Sequence, residues 1–126
     1  MAYACASRYA GCYVVTLSVD QVTFREPIRV GELVSFLASV NSTGTTSTEI
    51  GIKVVTKNIV NQTMRHANSC FFTMVAMGDD KKPVALPPLE LRDANQLRRD
   101  AAARMRRDLR RDFAQRMEPH KQVAGA

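Results

Sequence analysis

Gly44-Thr45-Thr46-Ser47 places one glycine and three hydroxyls in four consecutive positions. Backbone N–H groups and hydroxyls in such a turn can gather around an anion, although the same residues also simply build turns. Downstream, Lys53, Lys57 and Arg65 offer cations that would suit phosphate groups. On a solvated strand face such residues need no ligand at all. His66 is a candidate base, but no Ser or Cys stands at the spacing of a nucleophilic pair, so a structural role fits it better. Cys5, Cys12 and Cys70 sit in apolar surroundings, are odd in number and match no metal spacing. They read as small buried hydrophobes in a reducing compartment, which makes the chain cytoplasmic and assigns it no metal.

The formal net charge of +6 is unevenly spread. From Glu90 to Lys121 there are ten Lys/Arg against six Asp/Glu, so the tail supplies most of the excess. Arg98, Arg99, Arg104, Arg106, Arg107, Arg110 and Arg111 make it a candidate for nucleic acid. Asp100, Asp108 and Asp112 oppose that idea, because they repel phosphate and pair internally, and no aromatic platform accompanies them. A solvated or subunit-bridging helix fits better. No apolar run is long enough to cross a membrane, and the first residues lack the basic and apolar regions of a signal peptide.

These groups must be positioned by the elements around them. Ala2 to Ala10 is apolar nearly all round and ends at Gly11, a helix-capping residue. A helix without a polar face belongs in a core, so the expectation is that a further segment precedes Met1. Val15, Leu17 and Val19 then alternate with Thr16, Ser18 and Asp20, and a change of phase predicts a bulge near Asp20-Gln21. Val34, Phe36, Ala38 and Val40 form the next strand face, and Asn41 to Thr45 reads as a hairpin connection. A third strand carries Ile50, Ile52 and Val54, with Glu49, Lys53 and Lys57 partly on its other face. Asn58 to Gln62 turns the chain, and a strand from Met64 to Met77 is apolar on both faces, which calls for cover on both, from the first helix and from the tail or another subunit. From about Leu91 a helical pattern repeats every four residues and is expected to stop at Pro119. Asp100–Arg104 and Asp112–Arg116 are acid-first pairs at i,i+4.

The ordered motifs resemble the hotdog-fold acyl-CoA thioesterases. The run Val14-Val15-Thr16 to Asp20, then Phe24-Arg25-Glu26-Pro27-Ile28-Arg29-Val30-Gly31-Glu32-Leu33-Val34, is similar to theirs. So are the Gly44-Thr45-Thr46-Ser47 turn followed by Glu49, the strand Ala67 to Ala76, and the exit Ala85-Leu86-Pro87-Pro88-Leu89. The resemblance implies an α+β hotdog fold over residues 1–89, an antiparallel sheet around a central helix, with a charged helical tail over 90–126. It implies hydrolysis of acyl-CoA to fatty acid and CoA, with the CoA thioester as substrate and no cofactor, in homodimers or higher homo-oligomers that serve fatty acid metabolism. Val15, Thr16, Gly44, Thr45, Thr46, Ser47, Lys57 and Arg65 become the expected substrate contacts, Thr16 through the pantetheine arm and the turn through the CoA phosphates. The catalytic aspartate of the family is expected two positions before Met1, so no catalytic residue is assigned within these 126 residues. A non-catalytic acyl-CoA-binding subunit is the first alternative, and a basic nucleic-acid-binding protein the second.

Overall fold

Gly11 sets the first boundary. At φ 69° it occupies the left-handed region that favours glycine, and its N–H donates to the Ser7 carbonyl at 2.9 Å. It closes α1 (Ala2–Ala10), as the sequence predicts. In this computed structural model, which describes residues 1–20 and 22–124, α1 is followed by β1 (Tyr13–Val19), β2 (Thr23–Phe24), β3 (Glu32–Thr43), β4 (Ser47–Asn58), β5 (Met64–Met77) and α2 (Ala94–Ala124). The chain divides into two compact units, Met1–Glu90 and Leu91–Ala126.

In the first unit the strands lie in the order β1-β5-β4-β3, with β2 also paired to β5 and every pairing antiparallel. The core joins α1 to one face of this sheet: Ala2 and Ala6 meet Val14, Ile50, Ile52, Val54, Met74 and Ala76. Ala2 and Ala6 are one turn apart, so their small side chains form the stripe on which the sheet rests. Tyr3, Ala4 and Arg8 are exposed, so the expected burial of this helix is met on one face only. The unit is the α+β arrangement that the resemblance implies.

Three expectations need correction. The bulge expected at Asp20-Gln21 falls partly on Gln21, outside the described residues, and the register break in β1 comes earlier. Thr16 pairs with Met74 and Ser18 with Thr73, so Leu17 is the extra residue. The break moves Val15 and Val19 to opposite faces, since their partners Val75 and Phe72 are an odd number of residues apart. Asn41 does not open a turn either. β3 runs on to Thr43 with an irregularity at Asn41, whose side chain accepts from Ser39 Oγ at 2.8 Å and donates to Glu49 Oε1 at 3.1 Å. Half-buried Ser39 and buried Glu49 hold this turn-forming residue inside a strand.

The third correction concerns the tail, taken by itself. Asp93 starts α2 by accepting the Gln96 N–H at 2.8 Å on its carboxylate. Asp100–Arg104 at 2.9 Å and Asp112–Arg116 at 3.1 Å then form as the spacing predicts. Pro119 does not end the helix, which continues to Ala124. Proline removes the N–H that would reach the Gln115 carbonyl, but both residues are exposed and water can satisfy that oxygen.

Candidate functional site

β5 brings the predicted site residues together, because it pairs with β1 on one side and β4 on the other. Val75 faces Val15 and Ser47 across these two pairings, and Met74 likewise faces Thr16 and Thr48. Val15 and Ser47 are thus two strand spacings apart, about 10 Å. Thr16 donates its hydroxyl to the Met74 thioether, with Oγ1 to Sδ at 3.3 Å, and Thr16 itself is exposed.

The Gly44–Ser47 turn closes the β3–β4 hairpin through a Gly44 N–H to Ser47 carbonyl bond of 2.8 Å. Two more bonds lock it. The Thr46 carbonyl accepts the Ala76 N–H and the Thr45 carbonyl accepts the Leu86 N–H, each at 2.9 Å. The exit segment is fastened in turn: the Leu89 N–H reaches Thr43 Oγ1 at 3.2 Å, and the Tyr9 hydroxyl donates to the Pro87 carbonyl at 2.7 Å. Burial pushes the Tyr9 phenol above its ordinary pKa, with the nearby Glu90 charge adding to it. Val15, Thr16, Gly44, Thr45, Thr46 and Ser47 therefore share one end of the sheet, on a rigid frame.

Lys57 and Arg65 do not join them. Lys57 is ten residues along β4 from Ser47, about 33 Å at strand rise, and Arg65 faces Thr56 at that far end. Arg65 is also committed. Its guanidinium donates to both oxygens of Glu32, at 2.6 and 2.8 Å, to Glu26 at 3.3 Å and to the Pro27 carbonyl at 3.2 Å. Glu32 is held below the ordinary carboxylate pKa by Arg65 first and by the Arg29 N–H second. An open cavity of about 610 Å³ lies here, with Arg29, Glu32, Asn58, Asn61 and Arg65 among its lining.

His66 also has structural partners. The Arg25 guanidinium lies 3.3 Å from Nδ1 and can only donate. Nε2 therefore carries the proton and donates to the Asn68 carbonyl at 2.9 Å, with Ser69 Oγ 2.8 Å away. The three cysteines are free thiols, and burial raises the pKa of Cys5 and Cys70. Among the described residues no group of His, Cys, Asp or Glu could hold a metal, and no helix is long and apolar enough to cross a membrane. Sequence reasoning missed Met74 beside Thr16 and Glu32 beside Arg65. Both partners are set by strand register, which no local motif encodes.

The family model of the thioesterase superfamily matches residues 1–61. The protein VdlD of Helicobacter pylori is 46% identical over 110 residues, which are 87% of this chain and 63% of VdlD. The chain thus spans less than two thirds of that relative's length. A hexameric acyl-CoA thioesterase in its apo form superposes with a TM-score of 0.85 at 30% identity, over 90% of this chain and 72% of that one. The acyl-CoA hydrolase from Staphylococcus aureus, solved with butyryl coenzyme A, coenzyme A and coenzyme A disulfide, gives 0.82 at 29% identity over 98% and 74%. The chain belongs to the hotdog-fold acyl-CoA thioesterases, within the thioesterase superfamily.

Proposed function

We propose that the protein hydrolyses acyl-CoA thioesters to a free acid and CoA, and that Val15, Thr16 and the Gly44–Ser47 turn hold the CoA moiety. The observation that carries this reading is the shared end of the sheet, where β5 sets Thr16 beside a hydroxyl-rich turn. Thr16 binds the pantetheine arm, and the turn offers N–H and hydroxyl groups to phosphate oxygens. Support comes from the S. aureus hydrolase, in which an aspartate and a threonine seventeen positions after it have each been replaced by alanine. Thr16 stands at that same separation from the place where the resemblance expects a carboxylate, two positions ahead of Met1. A carboxylate there would activate water or attack the thioester itself. Arg65 is left out of this site, since its charge is already balanced by Glu32 and Glu26. Lys57 serves CoA only if a second copy brings it to the first copy's site.

The working form is a homo-oligomer in the cytoplasm. Large apolar side chains at Tyr13, Leu17, Val19, Val22 and Phe24 are exposed on or next to the edge strands β1 and β2, on both faces, and another copy would cover part of them. One matching thioesterase of known structure is hexameric. The test is release of free thiol from a series of acyl-CoAs, with CoA affinity measured by calorimetry. Thiol release with saturable CoA binding is expected. Binding without release turns the protein into an acyl-CoA-binding subunit, and absence of both removes the reading.

A further inference from the structure

Met74 is 1% exposed, yet it touches the site through one atom. Its Sδ accepts the hydroxyl proton of Thr16 at 3.3 Å, and the two residues are direct cross-strand partners. The pairing is local and specific. On the next step the register shifts at Leu17, so Ser18 passes to Thr73 on the other face and Thr16 is the β1 hydroxyl that meets the thioether. A threonine hydroxyl has one proton and two lone pairs. With the O–H directed at sulfur, the oxygen keeps its lone pairs as acceptors.

We propose that Met74 is a positioning residue for Thr16, fixing its hydroxyl as a hydrogen-bond acceptor toward an N–H donor of the substrate, the amide of the pantetheine arm. This rests on the acyl-CoA reading above and adds to it the polarity of the contact and the buried residue that sets it. A thioether suits the task. It is apolar enough to sit among Val14, Ile50 and Ala76 without an unsatisfied polar atom, and it offers a weak acceptor that yields no competing donor. Leucine keeps the volume and removes the acceptor, which frees the Thr16 hydroxyl to rotate.

The experiment is a double-mutant cycle on the full chain with Thr16→Val, Met74→Leu and both together, reading CoA affinity by calorimetry and folding by thermal melting. Each single variant is expected to weaken CoA binding about three- to tenfold with a melting temperature near wild type, and the double variant to bind no more weakly than Thr16→Val. Thr16→Ser restores affinity in the Met74 background, because the acceptor geometry survives. Met74→Leu binding CoA like wild type, or additive losses in the double variant, would each overturn the proposal while leaving the CoA site intact. A wild type that binds no CoA overturns the acyl-CoA reading and the proposal's substrate contact with it.

Discussion

Glu32 grips Arg65 with both carboxylate oxygens, at 2.6 and 2.8 Å, across thirty-three positions of sequence. The pair ties the start of β3 to β5 and holds the loop from Arg25 to Gly31 against the sheet, since the same guanidinium reaches Glu26 and the Pro27 carbonyl. A planar donor fork matched to a carboxylate is the geometry in which an ion pair contributes most at a surface.

This clamp predicts an acid-sensitive fold. The folded protein holds the Glu32 carboxyl below its ordinary value of 4.5, so it binds that proton more weakly than the unfolded chain. The stabilisation is complete above the ordinary value and is lost as pH falls through the lower folded one. Melting temperature against pH should therefore decline below about pH 4.5 in the wild type. Glu32→Gln should lower the melting temperature at neutral pH and flatten that decline. An unchanged acid slope in the variant would assign the sensitivity to other carboxylates.

Gly51 is required by its neighbour. A Cβ there would collide with the Asn41 amide nitrogen and lie 3.2 Å from its Cγ. Asn41 cannot simply swing away, because it is buried and bonded to Ser39 and Glu49. Gly51→Ala should destabilise the protein by about 1–3 kcal/mol in urea unfolding, the cost of overpacking or of a buried amide left without partners. Pairing it with Asn41→Ala should recover part of the loss, since the obstacle is then gone. A neutral Gly51→Ala would show that the β3 irregularity relaxes freely.

Much of this fold is legible in the sequence where a signal is local. Met64 to Met77 is bounded by turn residues on both sides and free of proline, and its limits follow directly. Asn58 announces its turn because its own side chain accepts the Val60 and Asn61 N–H groups. The Leu17 bulge is invisible, since Val15 to Val19 alternates without a break and the shift exists only against Met74 and Thr73. Asn41 misleads in the other direction, as a turn former whose partners lie on another strand. The candidate site residues follow the same rule. Thr16 and the Gly44–Ser47 turn stand out as motifs, but their placement at one end of the sheet needs the register of β5. The pairing of Arg65 with Glu32 likewise depends on strand register and not on a local motif.

Ala6 limits how closely α1 approaches the sheet. It is 0% exposed, one turn from Ala2 and packed into the cluster with Ile50 and Met74. Ala6→Leu should cost about 1–3 kcal/mol, because the added methylenes have no void to enter and must push the helix outward. Ala4→Leu, on the exposed face of the same helix, should leave unfolding within about 0.5 kcal/mol of wild type. Equal effects at both positions would mean that helix propensity, rather than packing, governs α1.

The separation of the expected ligand residues into two ends of the sheet makes the sharpest prediction about binding. Val15 and Ser47 share one row across β5 and Thr16 stands in the next, while Lys57 and Arg65 are about 30 Å away at the far end of β4. If one protomer holds CoA at the Thr16 end, Thr16→Val removes a contact worth about 0.5–1.5 kcal/mol and Arg65→Ala removes none. Calorimetry at fixed salt should then show CoA affinity falling for Thr16→Val and unchanged for Arg65→Ala, even though the latter loosens the loop beside Glu32. Lys57→Ala decides the remaining question. A loss of affinity that appears only in the oligomer would place Lys57 at a neighbouring copy's site, because attraction across 30 Å in one protomer is screened at physiological salt. Equal losses for Thr16→Val and Arg65→Ala would move the CoA site to the far end of the hairpin and sink the arrangement proposed here.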